Sequence, residues 1–378
     1  MSKKLITIAI VILITALILS LVVTSTKHTN TIKFGVVTPL TGDGAIYGEN
    51  VINAKTMAIE EINENGGILG QKIELIYEDG ACDGSKALLA SQKLININNI
   101  KIIFGGVCSG ETLAMAQFTE DNNVILFSSG SSSPDISKIG KYLFRNYPSE
   151  DILGVATAEL IYNDAHKKIG VLVENTDYAT SILDVFAKRY SELGGSIIII
   201  EKYNSDSKDY RTQLTKIKQE NIDSILFLPQ TGKTGGIAVK QAHEIGINVP
   251  NYGNAQMNGN EALKNGGQSI NGLKFIDAPM LSGSRSMQFI DKYNARFDKP
   301  SMDYFVGAEY DAVYIIKDAI EYCKTINTDC IKDYLYNMGS YNGVIGDYNF
   351  NKDGDVQNIK FVIKQIIDAE KEEITIID

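Results

Sequence analysis

Residues 78–134 read EDGACDGSKALLASQKLININNIKIIFGGVCSGETLAMAQFTEDNNVILFSSGSSSP. Cys82 and Cys108 each follow an apolar run of strand type. Two clusters of small residues, Cys108-Ser109-Gly110 and Ser128 to Ser133, also sit at the ends of such runs. Alternating strand and helix patterns build a parallel α/β sheet, and in such a sheet ligands bind beyond the carboxyl ends of the strands. Small residues there leave backbone N–H groups uncovered, and the N-terminus of the following helix favours an anion. The stretch describes a pocket for a small carboxylate-like ligand, with no catalytic side chain in it.

The same alternation extends in both directions. Ile32 to Thr38 is a short apolar strand, and Ile46 to Asn65 carries Val51, Ala54, Ala58 and Ile62 at helical spacing before Asn65-Gly66-Gly67 stops it. Strands over 73–78, 100–104 and 124–127 alternate with helices over 84–96 and 111–121. After Leu143-Phe144-Arg145-Asn146-Tyr147-Pro148 the series restarts, with helices over 151–163, 178–192, 208–220 and 235–245 between strands over 168–173, 196–203 and 223–228. A strand over 273–277, helices over 284–297 and 305–323, and a hairpin around Asp353-Gly354 complete the chain.

The fold class expected is α/β with two lobes, each a doubly wound, mostly parallel sheet. Residues 31–147 with 279–345 form the first lobe, and 148–278 with 346–378 the second. Crossings near Pro148, Ala278 and Val344 make a three-stranded hinge beside the cleft.

Compartment comes from the N-terminus. Lys3 and Lys4 precede the uncharged run Leu5 to Val23. A basic start and an apolar centre read residues 1–26 as a secretory signal, while nineteen residues also suffice for an uncleaved membrane anchor. No cysteine stands where lipoprotein lipidation would need one. The remaining chain of about 350 residues exceeds one hydrophobic core, so two domains are expected. Net charge is −10, or −12 without Lys3 and Lys4, which disfavours nucleic acid or an anionic membrane surface as a partner.

An even count of four cysteines in an exported chain suggests two disulfides, and the spacings pair Cys82 with Cys108 and Cys323 with Cys330. The first closes a loop worth ~3.5 kcal/mol in the chain-entropy model. Zinc is disfavoured, because there is no CxxC and the three histidines lie far from the cysteines. No metal and no cofactor are expected.

Enzymatic motifs fail on inspection. Thr231-Gly232-Lys233-Thr234 mimics the end of a phosphate-binding loop, but Phe227 stands where the loop needs glycine. Gly42-Asp43-Gly44 lacks the later glycine of a dinucleotide fingerprint. Asn351-Lys352-Asp353-Gly354-Asp355 lacks the closing Glu of a calcium loop and reads as a hairpin turn. His28, His166 and His243 fall in a linker and on two helices, none beside a strand-end Ser or Cys, so a Ser–His hydrolase has little support. Ser109 alone could be a helix N-cap and Gly130 to Ser132 a plain loop. Their place at the ends of neighbouring strands favours a ligand site.

These residues carry a resemblance. Phe34-Gly35-Val36 with Thr38-Pro39-Leu40-Thr41-Gly42, Tyr47-Gly48, Ile62-Asn63 through Gly66-Gly67-Ile68-Leu69-Gly70, Asp79 with Ala81-Cys82-Asp83, Cys108-Ser109, Phe144-Arg145, Lys218 to Asp223 and Tyr310-Asp311-Ala312 stand in order over residues 31–365. In these the chain resembles the periplasmic leucine/isoleucine/valine-binding protein family, type I substrate-binding proteins of ABC importers. The resemblance implies that Ser109 and the loop Gly130, Ser131, Ser132 hold a ligand α-carboxylate. It implies further that Tyr178 closes over the ligand and that Tyr47 shapes the side-chain pocket. Gln256 stands where the family places the acidic partner of the ligand ammonium, and Thr231 near a second aromatic position. A neutral Gln there costs a buried ammonium its ion pair, which opens the alternative of a short amide or urea-type solute.

The implied role is extracytoplasmic delivery of an amino acid to ABC permease subunits by a monomer, without catalysis. A sensory ectodomain of the same fold would share every pocket feature.

Overall fold

The computed structural model describes residues 31–137, 139–297, 304–369 and 373–377. The signal or anchor reading of residues 1–26 lies outside them. No described helix is long and apolar enough to cross a membrane.

Among the described residues, one five-stranded parallel sheet runs in the order β2-β1-β3-β4-β5. It comprises β1 (Ile32–Thr38), β2 (Ile73–Asp79), β3 (Ile102–Phe104), β4 (Ile125–Ser128) and β5 (Leu143–Arg145). Side chains alternate between the faces of a strand, and here each face has its own core. Phe34, Val36, Phe104 and Phe127 point into one apolar cluster, while Val37, Ile103 and Leu126 point into the other. Helices therefore cover both faces, which is why β3, β4 and β5 are buried without polar alternation. These helices include α1 (Ala45–Glu64), α2 (Gly84–Asn96) and α3 (Ser109–Asp121).

The second sheet runs β15-β14-β10-β9-β8-β6-β7. Strands β6 (Lys168–Glu174), β7 (Ser196–Tyr203), β8 (Ser224–Leu228), β9 (Asn251–Gly253) and β10 (Lys274–Asp277) are parallel. Strands β14 (Val362–Asp368) and β15 (Glu373–Ile377) add an antiparallel edge. The alternation recurs, with Leu172, Ile225 and Phe227 on one face and Val171, Val173 and Leu226 on the other. Around it lie α4 (Glu150–Asn163), α5 (Asp177–Glu192), α6 (Arg211–Gln219), α7 (Gly232–Glu244) and α8 (Asn260–Gly266). The chain then returns to the first lobe through α9 (Ser284–Phe297), α10 (Tyr304–Cys323) and α11 (Thr328–Asn337), whose apolar faces join the cluster around Phe104.

One expected boundary moves. The sequence pattern puts residues from 346 onward in the second lobe, but β12 (Gly346–Phe350) pairs with β11 (Tyr341–Gly343) and β13 (Val356–Gln357) beside the first. Tyr348 and Phe350 point inward at alternate positions, and the Phe350 ring packs 5.4 Å from Phe144 and 5.8 Å from Phe127. Asp355 then pairs with the buried Arg145. Burial of two rings and neutralisation of a buried guanidinium hold this hairpin on the first lobe. The third crossing falls between β13 and β14, not near Val344. The chain also passes from one sheet toward the other after β5 and after β10.

Cys82 is joined to Cys108 and Cys323 to Cys330. The first disulfide ties the loop after β2 to the loop after β3, beside the start of α3.

Candidate functional site

The helices at the strand ends begin at the cleft, and their first turns face it. Cys108, not Ser109, is the N-cap of α3, and Ser109 is the first helical residue. Glu111 braces this corner. Its fully buried carboxylate accepts the N–H groups of Val107, Cys108 and Cys82, each at 3.0 Å. Burial outweighs those three bonds and pushes the Glu111 carboxyl up to about 7.

Between the lobes lies a cavity of about 90 Å³. The first lobe contributes Tyr47, Ser109, Gly130, Tyr147 and Phe305 to its wall, and the second contributes Tyr178, Gln230, Gln256, Asn258 and Asp277. Four aromatic rings, Tyr47, Tyr147, Tyr178 and Phe305, share the wall with the polar side chains of Ser109, Gln230, Gln256, Asn258 and Asp277.

A hydrogen-bond chain spans the cleft. Tyr47 Oη donates to Gln256 Oε1 at 2.6 Å, and Gln256 Nε2 donates to Tyr178 Oη at 3.4 Å. Tyr178 Oη in turn donates to Glu150 Oε1 at 3.2 Å, and Ser132 Oγ donates to the same oxygen at 3.3 Å. The chain thus leaves the first lobe at Tyr47, crosses to the second and returns at Ser132. At the rim, Lys233 pairs with Asp43 across the cleft at 2.8 Å. The lobes are closed on each other.

Gly110 permits that approach, and Gly130 permits close packing within the first lobe. A Cβ at Gly110, in the first turn of α3, would lie 2.9 Å from the Asp177 carboxylate at the start of α5. A Cβ at Gly130 would lie 2.9 Å from the Phe305 ring and 3.1 Å from Val107.

The residues named from the sequence divide among four places. Tyr47, Ser109, Gly130, Tyr178 and Gln256 come together in the cavity wall. Ser131 does not. Its hydroxyl bonds the Gly106 carbonyl at 2.9 Å and the Thr112 hydroxyl at 2.7 Å, fixing the loop from behind. Ser132 is buried at the edge, with its hydroxyl committed to Glu150. Thr231 caps α7, accepting the Thr234 N–H at 3.2 Å. It lines an outer chamber of about 440 Å³ that shares Cys108 and Gln230 with the inner cavity.

Sequence reasoning missed Tyr147, Phe305, Glu150 and Asp277. Asp277 ends an apolar strand at a crossing, a signal that was present. Its carboxylate accepts Lys364 Nζ and Asn258 Nδ2, both at 2.7 Å, and burial still raises its pKa. Glu150 opens α4, where an acidic residue is favourable whatever else surrounds it in space. Phe305 enters from α10, far along the chain, with no local signal.

Ser109 lies in the cavity wall. Its Oγ accepts the Ser133 N–H at 3.1 Å, so its proton is directed away from that bond. A bond from this hydroxyl to a charged or polar ligand end would be worth about 1.5–3 kcal/mol, and alanine would remove it. Titration of S109A should give affinity ten- to a hundredfold weaker; an unchanged affinity would remove Ser109 from the site.

Two α/β lobes closed over a small aromatic and polar cavity at their strand ends define a binding protein of the hinged, two-lobed class. The chain belongs to the periplasmic binding protein family, whose sequence profile matches residues 31–364. A leucine-, isoleucine-, valine-, threonine- and alanine-binding protein of Pseudomonas aeruginosa is 26% identical over 339 residues, 88% of this chain and 89% of that protein. Among solved structures, the substrate-binding protein of a branched-chain amino acid transporter from Streptococcus pneumoniae, in complex with isoleucine, superposes with a TM-score of 0.81. Its identity is 25%, over 92% of this chain and 99% of that one. A solute-binding protein of an ABC transporter from Rhodopseudomonas palustris, in complex with 3,4-dihydroxybenzoic acid, has the same fold. Its TM-score is 0.78 and its identity 20%, over 89% of this chain and 93% of that one. Family membership implies an extracytoplasmic location.

Proposed function

We propose that this chain is the solute-binding component of an ABC importer. It takes a small metabolite, an amino acid of the branched-chain or a related kind, into the interlobe cavity and delivers it to the permease as a monomer. Leu5 to Val23 would carry it out of the cytoplasm, by cleavage or as an anchor. The observation that carries the reading is the bond from Tyr47 to Gln256 across the cleft. Both lobes hold the cavity, so a ligand inside it stabilises the closed state over the open one.

Binding without chemistry suits the wall. Tyr47, Gln256 and Tyr178 are hydrogen-bonded in series, and Asp277 is already neutralised by Lys364. A short amide is the second reading, supported by Gln256, whose amide presents a donor and an acceptor where an ammonium would need an anion.

A thermal-shift screen with leucine, isoleucine, valine, threonine, alanine, acetamide, urea and 3,4-dihydroxybenzoate tests the reading. A solute at a hundred times its Kd should stabilise the protein by about 2.7 kcal/mol and raise Tm by a few degrees. Small-angle scattering should register compaction with the same solute, because three crossings let the lobes close as rigid bodies. If no solute raises Tm, the importer reading with these solute classes fails.

A further inference from the structure

Glu150 is a buried carboxyl at the meeting of the two lobes for which the described residues supply no ion-pair partner. It is the first residue of α4, directly after the first crossing, and is 2% exposed. Most other buried carboxylates near the site have strong partners; Glu174, which also forms no ion pair among the described residues, accepts the Gln230 N–H and the Thr234 and Tyr203 hydroxyls. Lys55 pairs with Glu309, Lys364 with Asp277 and Arg145 with Asp355. Three backbone N–H groups bind Glu111, and two bind Asp311. Glu150 has the Ser132 and Tyr178 hydroxyls, and among the described residues no lysine, arginine or histidine forms an ion pair with it. A hydroxyl rotates and can accept as well as donate, so neither partner commits the site to an anion.

Its position matters as much as its lack of a cation. Tyr178 belongs to the cavity wall, and the Glu150 N–H donates at 2.8 Å to the carbonyl of Ser132, in the same loop as Gly130. Glu150 therefore stands one hydroxyl behind the cavity, on the side where the two lobes meet. A buried carboxylate with no cation is costly, and a cationic group entering the cavity would relieve that cost. Gln256, where the resemblance places the ammonium partner, is neutral.

Resting on the reading that the cavity holds a solute, we propose that Glu150 is the acidic partner of a cationic nitrogen on that solute, and so selects an ammonium-bearing ligand despite Gln256. The nitrogen displaces the Ser132 and Tyr178 protons from Oε1 and donates there itself. Asp277 sits in the wall as well, but its carboxylate is occupied by Lys364 and Asn258.

The groups facing Glu150 set the proton balance. Tyr178 from α5 and Ser132 from the loop donate to it, Asp277 from β10 repels it, and Arg145 from β5 attracts it at longer range. Burial dominates and raises the carboxyl to about 8, so near pH 7 the unliganded protein keeps most of that proton. An ammonium bound beside the carboxyl favours the carboxylate and expels the proton.

The experiment is titration calorimetry at pH 7, in buffers of different ionisation enthalpy, on the wild type, E150Q and E150D. The probes are the five amino acids of the screen, 4-methylpentanoate (leucine without its ammonium group), acetamide and 3,4-dihydroxybenzoate. We expect an amino acid to bind the wild type with release of a large part of one proton, and E150Q to weaken it ten- to a hundredfold with no release. E150D should recover part of both effects, and E150Q should not weaken 4-methylpentanoate. Equal affinity of E150Q and wild type for the amino acid overturns the assignment of Glu150 and leaves the solute-receptor reading intact. So does binding of only the probes without a cationic nitrogen. Proton release is measured on the wild type itself, so its absence counts against the assignment even if E150Q does not fold. Failure of every probe to bind overturns the solute reading and this inference with it.

Discussion

Replacing Glu309 with glutamine should destabilise the first lobe by about 3–5 kcal/mol, the cost of leaving one member of a buried ion pair alone. Lys55 Nζ lies 2.6 Å from Glu309 Oε2, with the two side chains 1% and 4% exposed. The same ammonium sits 4.2 Å above the Phe104 ring centroid, in the main core. Glutamine keeps the shape and one acceptor oxygen and removes only the charge. The loss has a ceiling, because the lysine can give up its proton. From its ordinary pKa to neutral pH, that costs roughly 4–5 kcal/mol. Burial already lowers the Lys55 pKa in the intact pair, so neutralisation is within reach.

Chemical denaturation should report the loss as a lower midpoint, and thermal melting as a fall of roughly 10 °C. The double variant K55M/E309L should recover most of the loss, since apolar residues of similar volume can replace a buried pair at little cost. A wild-type midpoint in E309Q would mean that the pair contributes nothing to linking α1 and α10.

Gly130→Val should abolish solute binding while leaving the protein folded. Any Cβ at this position lies 2.9 Å from the Phe305 ring and 3.1 Å from Val107, both in the cavity wall. Two further carbons must then go into a space of about 90 Å³ or push the wall apart. Overpacking of this kind costs about 1–3 kcal/mol of stability, which a chain of this size can absorb. The ligand loses its volume and the aromatic contacts together, so affinity should fall more than a hundredfold. Calorimetry on G130V, with a thermal melt of the unliganded protein as the folding control, checks both halves. Retained affinity would place the ligand outside this cavity.

The two substitutions probe different layers of one design. Lys55 and Glu309 lie on helices that pack together in the first lobe, and removing their charge balance tests the platform. Gly130 lies on the loop that the platform presents. Ser131 links the two, its hydroxyl holding the Gly106 carbonyl and the Thr112 hydroxyl so that Gly130 stays in the wall.

Much of this was legible in the chain. Period-two apolar runs such as Ile32–Thr38, separated by helices of 3.6 periodicity, leave a parallel sheet as the arrangement that buries both kinds of face. Local rules also placed the hairpin at Asp353-Gly354, paired the cysteines by spacing, and put Ser109 and Gly130 at neighbouring strand ends, because each depends on residues close in sequence. The lobe that receives the 346–357 hairpin was decided by where the Tyr348 and Phe350 rings find a core and where Asp355 finds Arg145, contacts that reach across more than 200 positions. Glu150 carries the same lesson. Its sequence neighbourhood marks it as an ordinary acid at a helix start. Only the tertiary structure removes it from water, gives it two hydroxyls and, among the described residues, no ion-pair partner, and sets it behind the cavity. Burial and charge compensation are sums over everything that surrounds a group in space, and a local sequence window does not contain those terms.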